Sequence, residues 1–399
     1  LRYGIPAYRL PDEVMELQIR KFRDAGVEFV CSEKIGGNGW LTGLKAEGFR
    51  AVVLAVGASR GCLPGVPGEN VPGVMTGMDF LRALRSDDAP LPETGPGRRV
   101  LVVGGGDVAM DATISARRLG AASVEMVCLE SQDELPAFPH NVAEAVGMGI
   151  PVHGAWGPTA VRVGPDGRAV GLECRRCLSL RDDAGRFAPT FDENPESAAF
   201  FKADTVIFAI GQRSDLDPFA QDVKITRGRI TVSPETLKSS CEGVFAAGDA
   251  VSGPASVCAA VAGGRRAAVS VDRFLSGAEL RRPETSRPVA DDMLKRLDPE
   301  KLVRLARRNR PLSGREGFAE RRAGLPLDAV LAEAGRCLTC GGKAVPAYTD
   351  DCMTCYTCEV RCPAGAVDVH PFKERLPRTL DTVRRETMHA AAAKEEKRA

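Results

Sequence analysis

Six of the thirteen cysteines crowd between Cys337 and Cys362. Four of them form the run Cys352-Met353-Thr354-Cys355-Tyr356-Thr357-Cys358-Glu359-Val360-Arg361-Cys362-Pro363. Thiolates at two-residue intervals can each hold one iron corner of a cubane, so C-x2-C-x2-C-x3-C-P points to a 4Fe–4S cluster. Zinc is the other reading of dense cysteines, but zinc sites usually set their pairs farther apart. Candidate ligands are therefore Cys352, Cys355, Cys358 and Cys362, with Cys337 and Cys340 as further thiols. Six thiolates suffice for one cluster and fall short of the eight that two would need. Such a site in a chain otherwise sparse in cysteine implies a reducing compartment, the cytoplasm.

The second chemistry-bearing stretch is Val102-Val103-Gly104-Gly105-Gly106-Asp107-Val108-Ala109, of form G-x-G-x-x-A. Glycines in this pattern also occur in ordinary turns. Here they follow an apolar strand and open a helix, which is the setting of a dinucleotide site. Gly104 permits the turn, Gly106 admits a pyrophosphate to the backbone, and Ala109 lets helix and strand pack closely. The helix start adds amide donors and the positive end of its dipole. About twenty residues on, Glu130 stands where the adenosine ribose is expected. A carboxylate accepts bonds from a 2′-hydroxyl and repels a 2′-phosphate, so NADH is favoured over NADPH; the bland alternative is a Glu facing water.

The third stretch is Phe245-Ala246-Ala247-Gly248-Asp249, followed by Gly253-Pro254-Ala255-Ser256. Asp249 at a strand end can bond a ribityl hydroxyl, and a helix starting near Ala255 can aim its positive end at a flavin. A capping Asp in a plain turn explains the same residues. His140, His153, His370 and His389 are the only histidines, and none is nominated as catalytic. No C-x4-C dithiol is present. The scattered Cys31, Cys62, Cys128, Cys241 and Cys258, and the pair Cys174 and Cys177, read as packing residues.

Taken as a set, Leu1–Pro11 (LRYGIPAYRLP), Val103–Asp111 (VGGGDVAMD), Ala209–Gln212 (AIGQ), Phe245–Asp249 and Gly253–Arg266 resemble the glutamate synthase small-subunit class. These are NAD(P)H-dependent iron–sulfur flavoproteins, related also to part of dihydropyrimidine dehydrogenase. The resemblance covers roughly residues 1–280. It implies hydride transfer from NAD(P)H to FAD, which with Glu130 reads as NADH, and electron passage through the cluster to or from a partner protein. It assigns Gly104, Gly106 and Ala109 to NAD(P), Gly248 and Asp249 to FAD, and brings Gly211 into the cofactor site. It also places a first FAD glycine fingerprint upstream of Leu1. NADPH-using members commonly carry Arg-Arg where Leu129-Glu130 stands. Their cysteines lie at the N-terminus, whereas here they form a C-terminal, ferredoxin-like segment. A cluster-binding electron wire or scaffold without flavin is the rival reading.

The elements that must position these residues follow from patterning. A helix is expected over Leu10–Ala25, with acids in its first turn and Gly26 as its stop. A short strand is expected at Val27–Cys31, and one buried on both faces at Ala51–Val56. Val100–Val103, Asp107–Leu119 and Ser123–Leu129 make a β-α-β unit, reached through a Pro- and Gly-rich hinge at Asp87–Arg99. Turn signals at Pro165–Gly167 and Asp182–Gly185 predict an antiparallel insertion over Val152–Phe191. Thr205–Ile210 resumes the buried-strand pattern, and Gly228–Ala268 reads as two strands, a glycine turn and a helix.

The resulting fold class is α/β: two Rossmann-like domains, the NAD domain inserted in the FAD domain, plus a small C-terminal iron–sulfur segment. The expected divisions are residues 1–71 and 212–280 for FAD, 72–211 for NAD, 281–336 for a basic helical linker, 337–373 for the cluster and 374–399 for a tail. Residues 281–325 hold 13 Arg or Lys against 7 Asp or Glu. They read as a solvated linker or a docking face for an acidic partner protein. Overall, 54 basic and 53 acidic residues leave a formal charge of +1. That balance gives no reason to expect nucleic acid, and no apolar run is long enough for a membrane span.

Overall fold

The computed structural model describes residues 1–86, 93–280, 318 and 326–335. It divides into two compact units. The first comprises residues 1–255, 266–281 and 307–325; the second comprises residues 256–265, 282–306 and 326–399. The calls on the hinge at 87–92, the basic linker, the cluster segment and the tail lie outside the described residues, apart from Phe318 and the stretch 326–335.

In chain order the first unit contains α1 (Asp12–Asp24), α2 (Trp40–Ala46), β1 (Val52–Leu54), β2 (Arg60–Gly61), β3 (Val74–Thr76) and α3 (Gly77–Ala83). Next come β4 (Arg99–Val103), α4 (Asp107–Arg118), β5 (Ser123–Val127), α5 (Pro139–Gly147) and β6 (Val152–His153). A run of strands follows: β7 (Trp156–Val163), β8 (Ala169–Arg181), β9 (Phe187–Phe191), β10 (Ala199–Lys202) and β11 (Thr205–Phe208). The chain then forms β12 (Gln212–Arg213), β13 (Ile225–Thr226), β14 (Arg229–Ile230), β15 (Val244–Ala246) and α6 (Asp249–Ser252), and enters α7 (Val257–Leu275). In the second unit the described residues form the first turns of α7 and the helix α8 (Leu327–Gly335).

A five-stranded parallel sheet runs β3-β11-β4-β5-β6. Its central strand β4 is apolar from Val100 to Val103, where both of its faces are covered. Val100 and Val102 pack with Phe80, Met110 and Ile114 on the helical side. Leu101 and Val103 pack with Leu172, Cys174 and Phe208 on the other. That second cover is the antiparallel sheet β10-β8-β7, with β9 paired to β8, where a doubly wound fold usually places helices.

The chain leaves the parallel pair β1/β15 after Leu54, builds both of these sheets, and returns to β15. The insertion of one α/β body into another is thus explicit in the strand pairing. Outward and return paths cross as the antiparallel ribbon β2/β12, where Cys62 N–H donates to Gly211 O at 3.1 Å. The core of the β1/β15 half gathers Trp40, Leu54, Phe219, Ile230 and Val244, and Trp40 Nε1 donates to Asp222 at 2.7 Å.

Several local expectations are corrected. Val27–Cys31 is not a strand: Val27, Phe29 and Val30 are exposed, and no described strand lies beside them to complete a ladder. In β1 only Leu54 is buried, while Val53 and, beyond the strand, Val56 are about 40% exposed, so β1 is covered on one face only, although its partner Phe245 is fully buried. Val152 and His153 join the parallel sheet, and the antiparallel body begins at Trp156 and extends to Lys202. Helix α7 begins at Val257 rather than near Ala255. Cys128, Cys174, Cys177 and Cys258 are buried, but Cys62 and Cys241 are half-buried and Cys31 is exposed. Burial pushes the Cys128 and Cys174 thiols up to about 12, which suits inert packing groups.

Candidate functional site

The glycine loop turns the chain from β4 into α4. Gly104 takes φ 137°, and a β-carbon there would lie 2.4 Å from Ala209 O, so any larger residue would part β4 from the end of β11. Gly106 caps α4 in an extended conformation with nothing within 4 Å of its would-be side chain. This leaves the first amides of α4 open to an anion. Ala109 is fully buried beneath the loop. Asp107 turns its carboxylate sideways, accepting from Phe138 N at 3.1 Å and Asn141 Nδ2 at 2.7 Å.

Glu130 lies three residues past the end of β5, half-buried. Its backbone is held in place: Ala155 N–H donates to Glu130 O at 2.8 Å, with Ala155 itself at φ 62°. Gly154 makes this approach possible, since a β-carbon there would sit 2.8 Å from the same oxygen. The Glu130 carboxylate turns back over the glycine loop. Its Oε2 stands 2.9 Å from the position a Gly105 β-carbon would occupy. Beside it opens a cavity of about 580 Å³ bordered by Leu129, Ala155 and the β8–β9 hairpin.

A second site lies at the carboxyl ends of the parallel strands β1 and β15, where ligands of open α/β sheets bind. Ala247 N–H donates to Leu54 O at 3.1 Å, so the two strand ends leave the pair together. Gly248 adopts φ 70° and ψ −157°, a conformation essentially reserved for glycine. Gly57, past the end of β1, has φ 66° and open space beside it. Asp249 opens α6 and accepts from Ala255 N at 3.2 Å. Burial raises its pKa from the usual 3.8, against the hydrogen bond from the Ala255 amide, which lowers it. Asp249 thus caps the following loop and also presents a carboxylate at the strand end. Ser256 accepts from Ala259 N at 3.2 Å at the start of α7.

These residues suit the ribityl and flavin end of FAD: an acceptor for hydroxyls, a side-chain-free backbone at Gly248, and open space at Gly57. Among the described residues only the loop at Gly104 joins a strand to a helix through a G-x-G-x-x-A pattern, so a matching fingerprint for the ADP half is not among them. Gly211, at φ 139° with open space beside it, leads into the β2/β12 ribbon and accepts from Cys62 N.

One tie joins two motifs that looked independent in the sequence. Arg9 Nη1 donates to both oxygens of Asp111, at 2.7 and 2.8 Å. Asp111 lies on the buried side of α4. Burial raises its pKa to about 6 even with Arg9 beside it. Tyr8 O–H donates to the Asp111 backbone oxygen at 3.4 Å, and the Arg118 guanidinium lies 3.8 Å over the Tyr8 ring. The LRYGIPAYRLP segment is thereby anchored to the helix that begins at the glycine loop. Helical spacing placed Asp111 one turn from Asp107, but no local pattern named a partner 102 residues away.

Cys337, Cys340, Cys352, Cys355, Cys358 and Cys362 lie outside the described residues. Within those described, no group of three or more potential ligands gathers around a metal position. No described helix is long and apolar enough to cross a membrane.

Comparison with known proteins agrees with this architecture. The chain is 37% identical over 359 residues to the NADP(+)-dependent formate dehydrogenase subunit beta of Moorella thermoacetica, an alignment covering 85% of this chain and 49% of that one. It is 34% identical over 289 residues to the glutamate synthase [NADPH] small chain of Halomonas elongata, covering 69% of this chain and 60% of the relative. The chain therefore spans about half to three fifths of the length of these curated relatives. Mycobacterium tuberculosis FprA in complex with NADPH superposes with a TM-score of 0.54 at 15% identity, over 69% of this chain and 74% of that one, and so shares the fold. The family profile for pyridine nucleotide-disulphide oxidoreductases matches residues 18–264, and the chain belongs to that family.

Proposed function

We propose that the chain is an NADH-oxidising flavoprotein subunit that takes hydride onto FAD and passes electrons through a 4Fe–4S cluster to a partner protein. The observation that carries this reading is the Glu130 carboxylate fixed above the glycine loop. In that position it accepts hydrogen bonds from a ribose 2′-hydroxyl and repels a 2′-phosphate. The amides at the start of α4 hold the pyrophosphate, and Gly106 leaves room for its approach. Asp249 orients the ribityl chain of the flavin, and Gly248 lets the backbone come close to it. When bound, FAD supplies the exchange between two-electron and one-electron chemistry that joins a nicotinamide to an iron–sulfur centre.

No general acid or base is assigned, because hydride transfer depends on positioning rather than on proton relay. Cys352, Cys355, Cys358 and Cys362 are the proposed ligands, with Cys337 and Cys340 available to a second centre or in exchange. The basic stretch 281–325 is the proposed docking face for an acidic electron-transfer partner, acceptor or donor.

A second reading is a cluster-carrying wire without flavin. Visible spectra decide between them. Flavin bands that bleach on anaerobic addition of NADH support the oxidoreductase. Cluster absorbance alone, unchanged by NADH, supports the wire and overturns the first reading.

A further inference from the structure

The cavity beside Glu130 has one wall that the glycine-loop reading leaves unused. Its floor is the loop after β5 and the turn after β6, at Leu129, Glu130 and Ala155. Its roof is the β8–β9 hairpin, which contributes Leu178, Arg181 and Phe187. Leu178 and Phe187 are 66% and 65% exposed, among the most exposed large apolar side chains of the described residues. A single exposed apolar residue means little on a protein surface. Two that share a cavity with an oriented carboxylate have the composition of a ligand pocket, and about 580 Å³ lies within the usual range.

The hairpin is built to stay there. Gly157 on β7 carries no side chain, and a β-carbon would meet the Phe191 ring at 2.2 Å and Leu129 at 2.9 Å. The base of the hairpin and the strand-end loop therefore close onto each other through that glycine. Cys177 N–H donates to Ala155 O at 2.9 Å, adding a backbone tie between roof and floor. At the tip, Asp182 N–H donates to Arg186 O at 3.0 Å, and Arg181 Nη1 donates to Gly185 O at 2.9 Å. Register shifts between Cys177 and Ser179, and between Ser179 and Arg181, interrupt the ladder along the cavity. Bulges of this kind re-aim side chains next to binding sites.

The position suits the dinucleotide reading proposed above. With the pyrophosphate at Gly104–Gly106 and the ribose at Glu130, the base must extend from the end of β5 toward β6, which is the direction of this cavity. We propose that the β8–β9 hairpin is the adenine clamp of the reductant site, Leu178 and Phe187 supplying the apolar surface on which the base packs. The proposal rests on the reading of Glu130 as the ribose acceptor, and adds affinity and base selection from an element outside the β-α-β unit.

The test compares two reductants on the flavin-loaded full chain: NADH, and reduced nicotinamide mononucleotide, which has the same hydride donor and no adenosine. Leu178→Asp and Phe187→Asp are each expected to raise KM for NADH about 10-fold with kcat retained, the scale of losing one base-stacking contact. Turnover with the mononucleotide stays unchanged, and Phe187→Tyr retains wild-type KM. Calorimetric titration with ADP-ribose, which needs no flavin, should weaken by the same factor. Unchanged ADP-ribose affinity in both Asp variants overturns the clamp, as does an equal loss with both reductants. Wild-type protein that binds no ADP-ribose overturns the clamp and the dinucleotide reading together.

Discussion

Glu130 and Gly105 are in register across the mouth of the nucleotide loop: the carboxylate oxygen sits 2.9 Å from where a β-carbon on Gly105 would stand. The acid is therefore placed over the loop by the absence of a side chain. Glu130→Arg removes the repulsion toward a 2′-phosphate and adds a cation. It is expected to lower kcat/KM for NADH and raise it for NADPH, each by about 10-fold or more. Steady-state kinetics with both reductants check this, and an unchanged preference would mean that the acid does not touch the ribose.

Gly104→Ala should act on stability before it acts on binding. Its β-carbon would lie 2.4 Å from Ala209 O, and its φ of 137° is strained for any L side chain. The colliding atom is backbone, so neither strand can yield by a rotamer change. A cost on the order of 2 kcal/mol or more is expected, read as a lower Tm, whereas Gly106→Ala, with open space on its side, should fold normally.

The Arg9–Asp111 tie should give a pH signature. The folded-state pKa of Asp111 is raised from 3.8 to about 6 by burial. Below 3.8 the carboxyl is protonated in folded and unfolded chains alike, and its charge costs nothing. As pH rises from 3.8 through about 6 the unfolded chain releases its proton first, so this group's favourable contribution is lost, by about 3 kcal/mol in all. Asp111→Asn should flatten stability measured between pH 4 and pH 7. Arg9→Ala should leave the carboxylate without its ion-pair partner, and be most destabilised at pH 8 with recovery near pH 5. A uniform loss across pH in Arg9→Ala would sink this account.

Iron and acid-labile sulfide should be present in the intact chain at about four of each per cluster. Serine at any one of Cys352, Cys355, Cys358 or Cys362 is expected to abolish or reshape the broad visible absorbance of the cluster. Serine at Cys337 and Cys340 together should leave it intact if the compact run holds the cluster alone. Loss of signal only in the second variant would reassign the ligands.

Much of this arrangement was legible because it is local. A buried β-branched run, three glycines and a helix-former pattern are contiguous, and they became β4, the loop and α4. The place of Glu130 just past β5 was legible for the same reason, being a fixed distance from those glycines in a β-α-β unit, whereas its role toward a ribose is the proposal that Glu130→Arg tests. What escaped was non-local. Val27–Cys31 has strand composition, yet a strand exists only where a neighbour supplies ladder bonds. Val53 looked buried because its neighbours are apolar, but burial depends on what covers the sheet. Arg9 and Asp111 each suit their own helix or turn, and nothing short-range marks them as a pair. The β8–β9 hairpin was expected as an antiparallel insertion, but its position over the Glu130 loop is set by Gly157, a contact no periodicity encodes.

The bond between Cys62 and Gly211 stitches together the two points at which the chain departs from and rejoins the body built on β1 and β15. Everything between them therefore has adjacent ends, as a cassette would. Evolution or an engineer can then exchange the inserted body, which carries the glycine loop, through one paired seam, leaving the Asp249 strand end and its neighbours undisturbed. Recombination at this seam offers a route by which one flavin body could be fitted to different nicotinamide pools.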